Sequence, residues 1–295
     1  MDAYPIHELE RLTGIKAHTI RIWEKRYGLI EPMRTDTNRR RYSEQQVRKL
    51  LNVSTLLSRG MRISRIATLS EEEINNCILS GSNDDLANTI SNGYINDLVR
   101  SMLALDEGGF ERVTAAAFLR YGFYEGMLQV IYPFLKQAGL LWCAAEAVPA
   151  HEHFACNIIR RKLLSAIDGL LPPDPKLPTF LMFLPEGEWH EIGLLFASYV
   201  VRVKGCGVLY LGQNIGVPLV KAVLDVKRPD YVLSFYISGR SEQELIEDMT
   251  TLCQGLEETT VLVTGNRKLS FAAGRLPESV EWLQDWDDLF QFLPK

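Results

Sequence analysis

The chain has 295 residues, 46 % of them hydrophobic and 23 % charged, a balance that excludes disorder over most of its length and, at ~150 residues per domain, predicts two domains or three small ones. No window approaches the ~18 apolar residues of a membrane span. The N-terminus lacks the basic and apolar regions of a secretory signal, and the five cysteines (Cys77, Cys143, Cys156, Cys206, Cys253) are widely spaced with no CxxC pair. These features predict a cytoplasmic protein without a disulfide framework or a cysteine-rich zinc module. The net charge of −5 is uneven: residues 1–70 hold 14 Lys and Arg against 7 Asp and Glu, and the remaining 225 hold 18 against 30. A basic head on an acidic body is the pattern of a DNA-binding head joined to a sensor or assembly module.

In the head, Ile6 to Ile15 predicts a short helix ending at Gly14, and Lys16 to Arg26 a second helix with Ile20 and Trp23 inward. Two short helices joined by a tight turn make a helix-turn-helix. The second presents His18, Thr19, Arg21 and Lys25 outward, where groove edges and phosphates lie. The run from Arg34 to Tyr42, with Arg39, Arg40 and Arg41 in sequence, predicts a wing that tracks the DNA backbone. Thr19-Ile20-Arg21-Ile22-Trp23-Glu24-Lys25-Arg26-Tyr27-Gly28-Leu29, then Pro32, Arg34 and Arg40-x-Tyr42-Ser43, resembles the MerR family winged helix-turn-helix. The similarity runs from Tyr4 to about Leu69 and includes Leu57-x-x-Gly60-Met61-x-Ile63. It implies a DNA-binding domain over residues 1–75 that holds double-stranded operator DNA through His18, Thr19, Arg21, Lys25, Arg26, Tyr27, Arg34, Arg39, Arg40, Arg41 and Tyr42. The long dimerising helix and cysteine loop of many MerR relatives are not visible after the head, so assembly is expected to reside in residues 76–295.

Residues 83–170 predict helices at about 93–105, 108–119, 122–139 and 150–168, an all-α four-helix bundle. Within it, Gly139-Leu140-Leu141-Trp142 is followed after nine residues by Glu152-His153. His151 and His153 lie about 200° apart on a helix and cannot chelate one ion from one face. Residues 171–178 carry four prolines and form a linker. In residues 179–295, apolar runs at Thr179–Leu184, Gly207–Leu211, Tyr231–Tyr236 and Thr260–Thr264 alternate with helical stretches at about 191–204, 216–226 and 241–255. That alternation predicts a Rossmann-like α/β domain with a parallel five-stranded sheet.

The first of these strands runs into Glu188-Trp189-His190-Glu191-Ile192-Gly193, at the carboxyl edge where open parallel sheets bind ligands. A carboxylate two residues before an imidazole can fix its tautomer and raise its basicity as a metal ligand. Gly193 lets a bulky group pass close to the helix start. Glu188-x-His190-x-x-Gly193 ahead of Tyr210-Leu211-Gly212 resembles the signature of the cobalamin-binding fold, and the tryptophan spacing that ends in Glu152-His153 resembles the helical cap of MerR-type cobalamin photoreceptors of the CarH and LitR kind. The resemblance implies that His190 is the lower axial cobalt ligand, that Trp142 packs over the upper face with Glu152 and His153 near the adenosyl group, and that Ser234 and Gly265 border the nucleotide tail. Three positions depart from the family pattern. Ser234-Phe235-Tyr236 stands where the family has Ser-x-Leu or Ser-x-Thr, Gly265-Asn266 where it has Gly-Gly, and Cys143 where light-sensing relatives carry a His.

The expected protein is therefore a regulator and not an enzyme, a homo-oligomeric repressor (dimer or tetramer) whose operator binding is controlled by adenosylcobalamin and by light. Two other readings stay open: a MerR-type regulator with a cofactor-free sensor domain that serves assembly or partner binding, and a corrinoid-dependent methyl-transfer protein.

Overall fold

The computed structural model describes residues 4–13, 15–34, 39–58, 60–80, 89–143, 147–238, 240–256, 258–266, 269–270 and 274–294. The chain divides into two compact units, Met1–Ile158 and Ile159–Lys295.

The first unit begins with strand β1 (Tyr4–Pro5) and helices α1 (Ile6–Thr13) and α2 (Ala17–Tyr27). The carboxylate of Glu10 accepts from the Ala17 amide at 3.0 Å and meets Lys16 at 3.1 Å, which fixes the turn between the two helices. Those two contacts, the backbone bond first, hold the Glu10 carboxyl below its usual range. Gly28 ends α2 in the left-handed region at φ +59°, with its amide returned to Glu24 at 3.2 Å. Strands β2 (Met33–Arg34) and β3 (Arg40–Tyr42) form an antiparallel hairpin, and β1 pairs on the other side of β3. The predicted turn of this wing, residues 35–38, lies outside the described residues, as does Gly14. Helices α3 (Glu44–Ser58), α4 (Ile63–Ile66) and α5 (Glu71–Ser80) complete the head around a core of Leu9, Ile20, Tyr42, Leu50, Val53 and Leu56.

The helical region follows with α6 (Thr89–Leu103), α7 (Glu107–Tyr121), α8 (Phe123–Gly126), α9 (Tyr132–Cys143) and α10 (Pro149–Asp168). The stretch expected as one helix over 122–139 is divided by a π-helical turn at Met127–Ile131. Pro133 has no N–H to return to Gln129, and the helix widens just ahead of it. Helix α9 packs on α3 and α5, with Leu140 against the head core, so head and helices share one unit.

In the second unit, the proline-rich segment 171–178 is neither helix nor strand, as its composition requires. Strands β4 (Thr179–Pro185), β5 (Gly207–Ile215), β6 (Tyr231–Tyr236), β7 (Thr260–Gly265) and β8 (Val280–Trp282) form a wholly parallel sheet of order β5-β4-β6-β7-β8. Helices α11 (Glu191–Val203), α12 (Val217–Leu224), α13 (Glu242–Cys253) and α14 (Trp286–Phe290) cover it. Side chains alternate between the faces. Phe183, Val232, Tyr236, Val261 and Val263 pack with Val220 of α12 and Leu245 and Met249 of α13. On the other face, Phe235 meets Gly193 of α11 and Trp286 of α14. The direction of winding reverses between β4 and β6, which makes the carboxyl ends of those two strands the switch point of the sheet.

Candidate DNA and cofactor sites

Helix α2 carries five of the residues expected at DNA and Tyr27 beside them. Ile20 is fully buried and anchors the helix, which leaves His18, Arg21, Lys25 and Arg26 exposed and Thr19 and Tyr27 half-buried. Arg26 lies over the Tyr27 ring at 5.3 Å. On the wing, Arg34 and Arg39 are exposed and Arg41 is half-buried. Two residues expected at the DNA play other parts. Tyr42 is 0 % exposed and sits in the head core, so it packs the wing onto the helices and does not reach a groove. The run of arginines ahead of it suggested a surface strand, but strand alternation turns its side chain inward. Arg40 is turned onto α2, where its guanidinium binds Glu24 at 3.1 and 3.2 Å.

The second cluster forms at the switch point. After β4, the turn Pro185–Gly187 brings the Glu188 amide to the Pro185 carbonyl at 2.9 Å, with Gly187 at φ +81°. The Glu188 side chain is 0 % exposed and collects donors from both loops. Oε1 accepts from the amides of Trp189 and His190 at 3.0 and 3.1 Å, and from His190 Nδ1 at 2.5 Å. Oε2 accepts from the amides of Ile237 and Ser238 at 2.9 and 2.6 Å, in the loop after β6. Burial opposes ionisation of Glu188, but the His190 ring and the Ser238 amide outweigh it and hold the carboxyl below its usual range. With its proton on Nδ1 and directed at Glu188, the His190 ring carries its lone pair on Nε2. The ring is half exposed, at 52 %. This is a buried carboxylate orienting an accessible imidazole, the arrangement that suits a single axial metal ligand. Among the described residues, no group of three or more His, Cys, Asp or Glu could hold a bare metal ion.

Of the two serines near this loop, the structure brings Ser238 to it. Ser238 Oγ lies 3.3 Å from both Glu188 oxygens and 3.3 Å from His190 Nδ1. Ser234, the expected tail contact, is 0 % exposed inside β6, and its Oγ has no hydrogen-bond partner among the described residues. Two serines four residues apart differ only in whether the strand has ended, which the sequence pattern does not mark. Tyr236 faces α13 and donates to Asp248 Oδ2 at 3.1 Å. Gly265 lies against the Tyr236 backbone, where a Cβ would stand 2.0 Å from the carbonyl oxygen.

In the first unit, Trp142 lies half-buried in the last turn of α9, and its Nε1 is buried with no hydrogen-bond partner among the described residues, an orphaned donor that suits a polar ligand. Glu152 is half-buried and His153 exposed in the first turns of α10. His151 Nδ1 instead accepts from the Val148 amide at 3.2 Å, where it caps that helix. Cys143 ends α9, and its side chain lies outside the described ones.

Head, helical region and parallel sheet combine a winged helix-turn-helix, a set of helices and a Rossmann-like domain in one chain. Residues 4–73 match the MerR HTH family regulatory protein family, and residues 94–164 match the B12 binding domain family. The chain is 28 % identical to the HTH-type transcriptional repressor CarH of Myxococcus xanthus over 97 % of each chain. It is 28 % identical to the HTH-type transcriptional repressor CarA of the same organism, over 84 % of this chain and 82 % of that one. The monomethylamine corrinoid protein of Methanosarcina barkeri shares the fold at a TM-score of 0.52, with 14 % identity over 68 % of this chain and 97 % of that one. Among the described residues, no helix is long and apolar enough to cross a membrane.

Proposed function

We propose that the protein is a transcriptional repressor whose oligomeric state and operator binding are set by adenosylcobalamin and by light. The observation that carries this reading is the His190 ring, held by buried Glu188 at the switch point of a parallel sheet, in a chain that also bears a MerR-type head. His190 would ligate cobalt, Glu188 and Ser238 would orient it, and Trp142, Glu152 and His153 would belong to the helical cap. Bound adenosylcobalamin would supply a light-sensitive cobalt–carbon bond. The domain boundaries that go with this reading are 1–75 for the head, 83–170 for the cap, 171–178 for the linker and 179–295 for the sheet domain, with cytoplasmic location.

The MerR-type head and the similarity to two repressors favour a regulator over a methyl-transfer protein. The test is an absorption spectrum of full-length protein after incubation with adenosylcobalamin, paired with light scattering and a gel shift on its own promoter, in the dark and after illumination. A retained corrinoid spectrum, a larger assembly and a shifted promoter, all lost on illumination, are expected. A protein that retains no corrinoid at saturation yet still shifts its promoter is instead a regulator with a cofactor-free sensor domain.

A further inference from the structure

Gly193 stands three residues after His190, in the first turn of α11, and its missing side chain opens a gap between that helix and the sheet. The protein fills this gap from within. A Cβ at Gly193 would stand 3.1 and 3.2 Å from two atoms of the Phe235 ring. Phe235 is only 7 % exposed. Its ring meets that of Trp286 at 6.3 Å, and Trp286 meets Phe196 of α11 edge-on at 4.7 Å. On the neighbouring strand, Thr264 is in register with Phe235 and is tied to the Leu283 carbonyl at 2.9 Å. The other face of β6 is closed as well, since Tyr236 is 0 % exposed and packed among the side chains of α12 and α13.

Chemistry gives this packing a consequence for the cofactor. Complete cobalamin carries, on an arm from the ring rim, a nucleotide whose benzimidazole can hold the lower position on cobalt. Cobalt has one lower position. When the His190 imidazole takes it, the benzimidazole must leave, and its arm goes either into the protein beside the histidine or out to solvent. An inward route beside His190 would have to pass between α11 and β6, where Phe235 lies against Gly193.

We infer that Phe235 is an internal plug standing in for the nucleotide arm, so that this chain selects corrinoids by their ring and not by their tail. It therefore takes a tail-less corrinoid of the cobinamide class at least as tightly as complete cobalamin, which must first give up its own bond from benzimidazole to cobalt. The inference rests on the cobalamin reading above.

The test titrates full-length apo-protein in the dark with adenosylcobalamin and with adenosylcobinamide, by equilibrium dialysis and by absorption. The wild-type dissociation constant for adenosylcobinamide should be no larger than that for adenosylcobalamin, and His190→Ala should weaken both. Phe235→Ala opens the gap and should shift the ratio of the two affinities toward complete cobalamin by about tenfold or more, the scale expected for burying one aromatic ring. Phe235→Leu, which keeps the face apolar and packed, should give a smaller shift of the same sign and serves if the alanine variant does not fold. A wild-type preference for complete cobalamin of about tenfold or more overturns the inference while leaving the cobalamin reading intact. An unchanged ratio in a folded Phe235 variant also overturns it. Binding of neither corrinoid overturns both.

Discussion

Arg40 of the wing and Glu24 of α2 form a two-pronged ion pair, with Nε 3.1 Å from Oε2 and Nη2 3.2 Å from Oε1. Both side chains are mostly withdrawn from solvent, at 23 % and 14 % exposure. The hydrogen bond to Glu24 raises the already high pKa of the Arg40 guanidinium, so the charge is permanent and already neutralised inside the protein. Arg40 therefore braces the wing against α2, and its charge is not available to displace counterions from DNA.

Arg40→Ala should lower head stability by about 1–2 kcal/mol, because it leaves Glu24 without its charged partner in a partly buried place. Operator affinity should fall through loss of wing geometry, while the slope of log affinity against log salt stays the same. Filter binding across a salt series, with urea melts, separates these effects. A slope reduced by about one would return Arg40 to the phosphate backbone.

Arg21→Ala should behave in the opposite way. Arg21 is exposed on the outward face of α2, so its loss should leave folding within about 0.5 kcal/mol of wild type. The salt slope should flatten by about one if it meets a phosphate, and discrimination between operator and mutated operator should fall by about 1–3 kcal/mol if it meets a base edge. Unchanged binding on both counts would remove Arg21 from the interface.

Much of this architecture is legible in the sequence because it rests on periodicity. Ile20 and Trp23 face inward at helical spacing, and four apolar runs separated by helix-length segments give the parallel sheet. The site is legible only in part. Glu188 and His190 are two residues apart and report each other. Ser238 reaches them across the switch point, and the sequence holds no local sign that it, and not Ser234, turns toward Glu188. Tyr42 reads as surface from the arginines beside it, yet alternation along β3 buries it. The fifth strand, Val280–Trp282, is three residues long and too short to show a period. Between adjacent Phe235 and Tyr236, only the strand's facing decides which aromatic meets Gly193.

Gly265→Ala should destabilise the sheet unit strongly. Gly265 has φ +149°, and an added Cβ would stand 2.0 Å from the Tyr236 carbonyl oxygen and 2.8 Å from its nitrogen. The obstruction is backbone in a neighbouring strand, which cannot move without breaking the β6–β7 ladder. Strain alone contributes about 1–3 kcal/mol, and the clash adds to it. Gly255→Ala is the control, since its φ of +79° is strained but nothing lies within 4 Å. Calorimetry should show a much larger fall in Tm for the Gly265 variant. Equal falls would mean that the close approach of β6 and β7 is not rigid.

Glu188 and His190 should separate when each is changed alone. His190 is half exposed, and its ring is not part of a buried core. His190→Ala should thus leave urea stability within about 0.5 kcal/mol of wild type while shifting or abolishing the bound-corrinoid spectrum. Glu188 is wholly buried and accepts four backbone amides from the loops after β4 and β6. Glu188→Gln keeps the shape but replaces one acceptor oxygen with an NH2 group that faces backbone donors. It should cost about 2 kcal/mol or more of stability, and corrinoid affinity should fall because the His190 ring loses its anchor. Glu188→Asp keeps the charge and should recover part of both losses. Urea melts and absorption titrations on the same preparations decide the matter. If Glu188→Gln matched wild type in stability, the carboxylate would not be what joins the two loops. If His190→Ala kept an unchanged spectrum and affinity, His190 would not be the axial ligand.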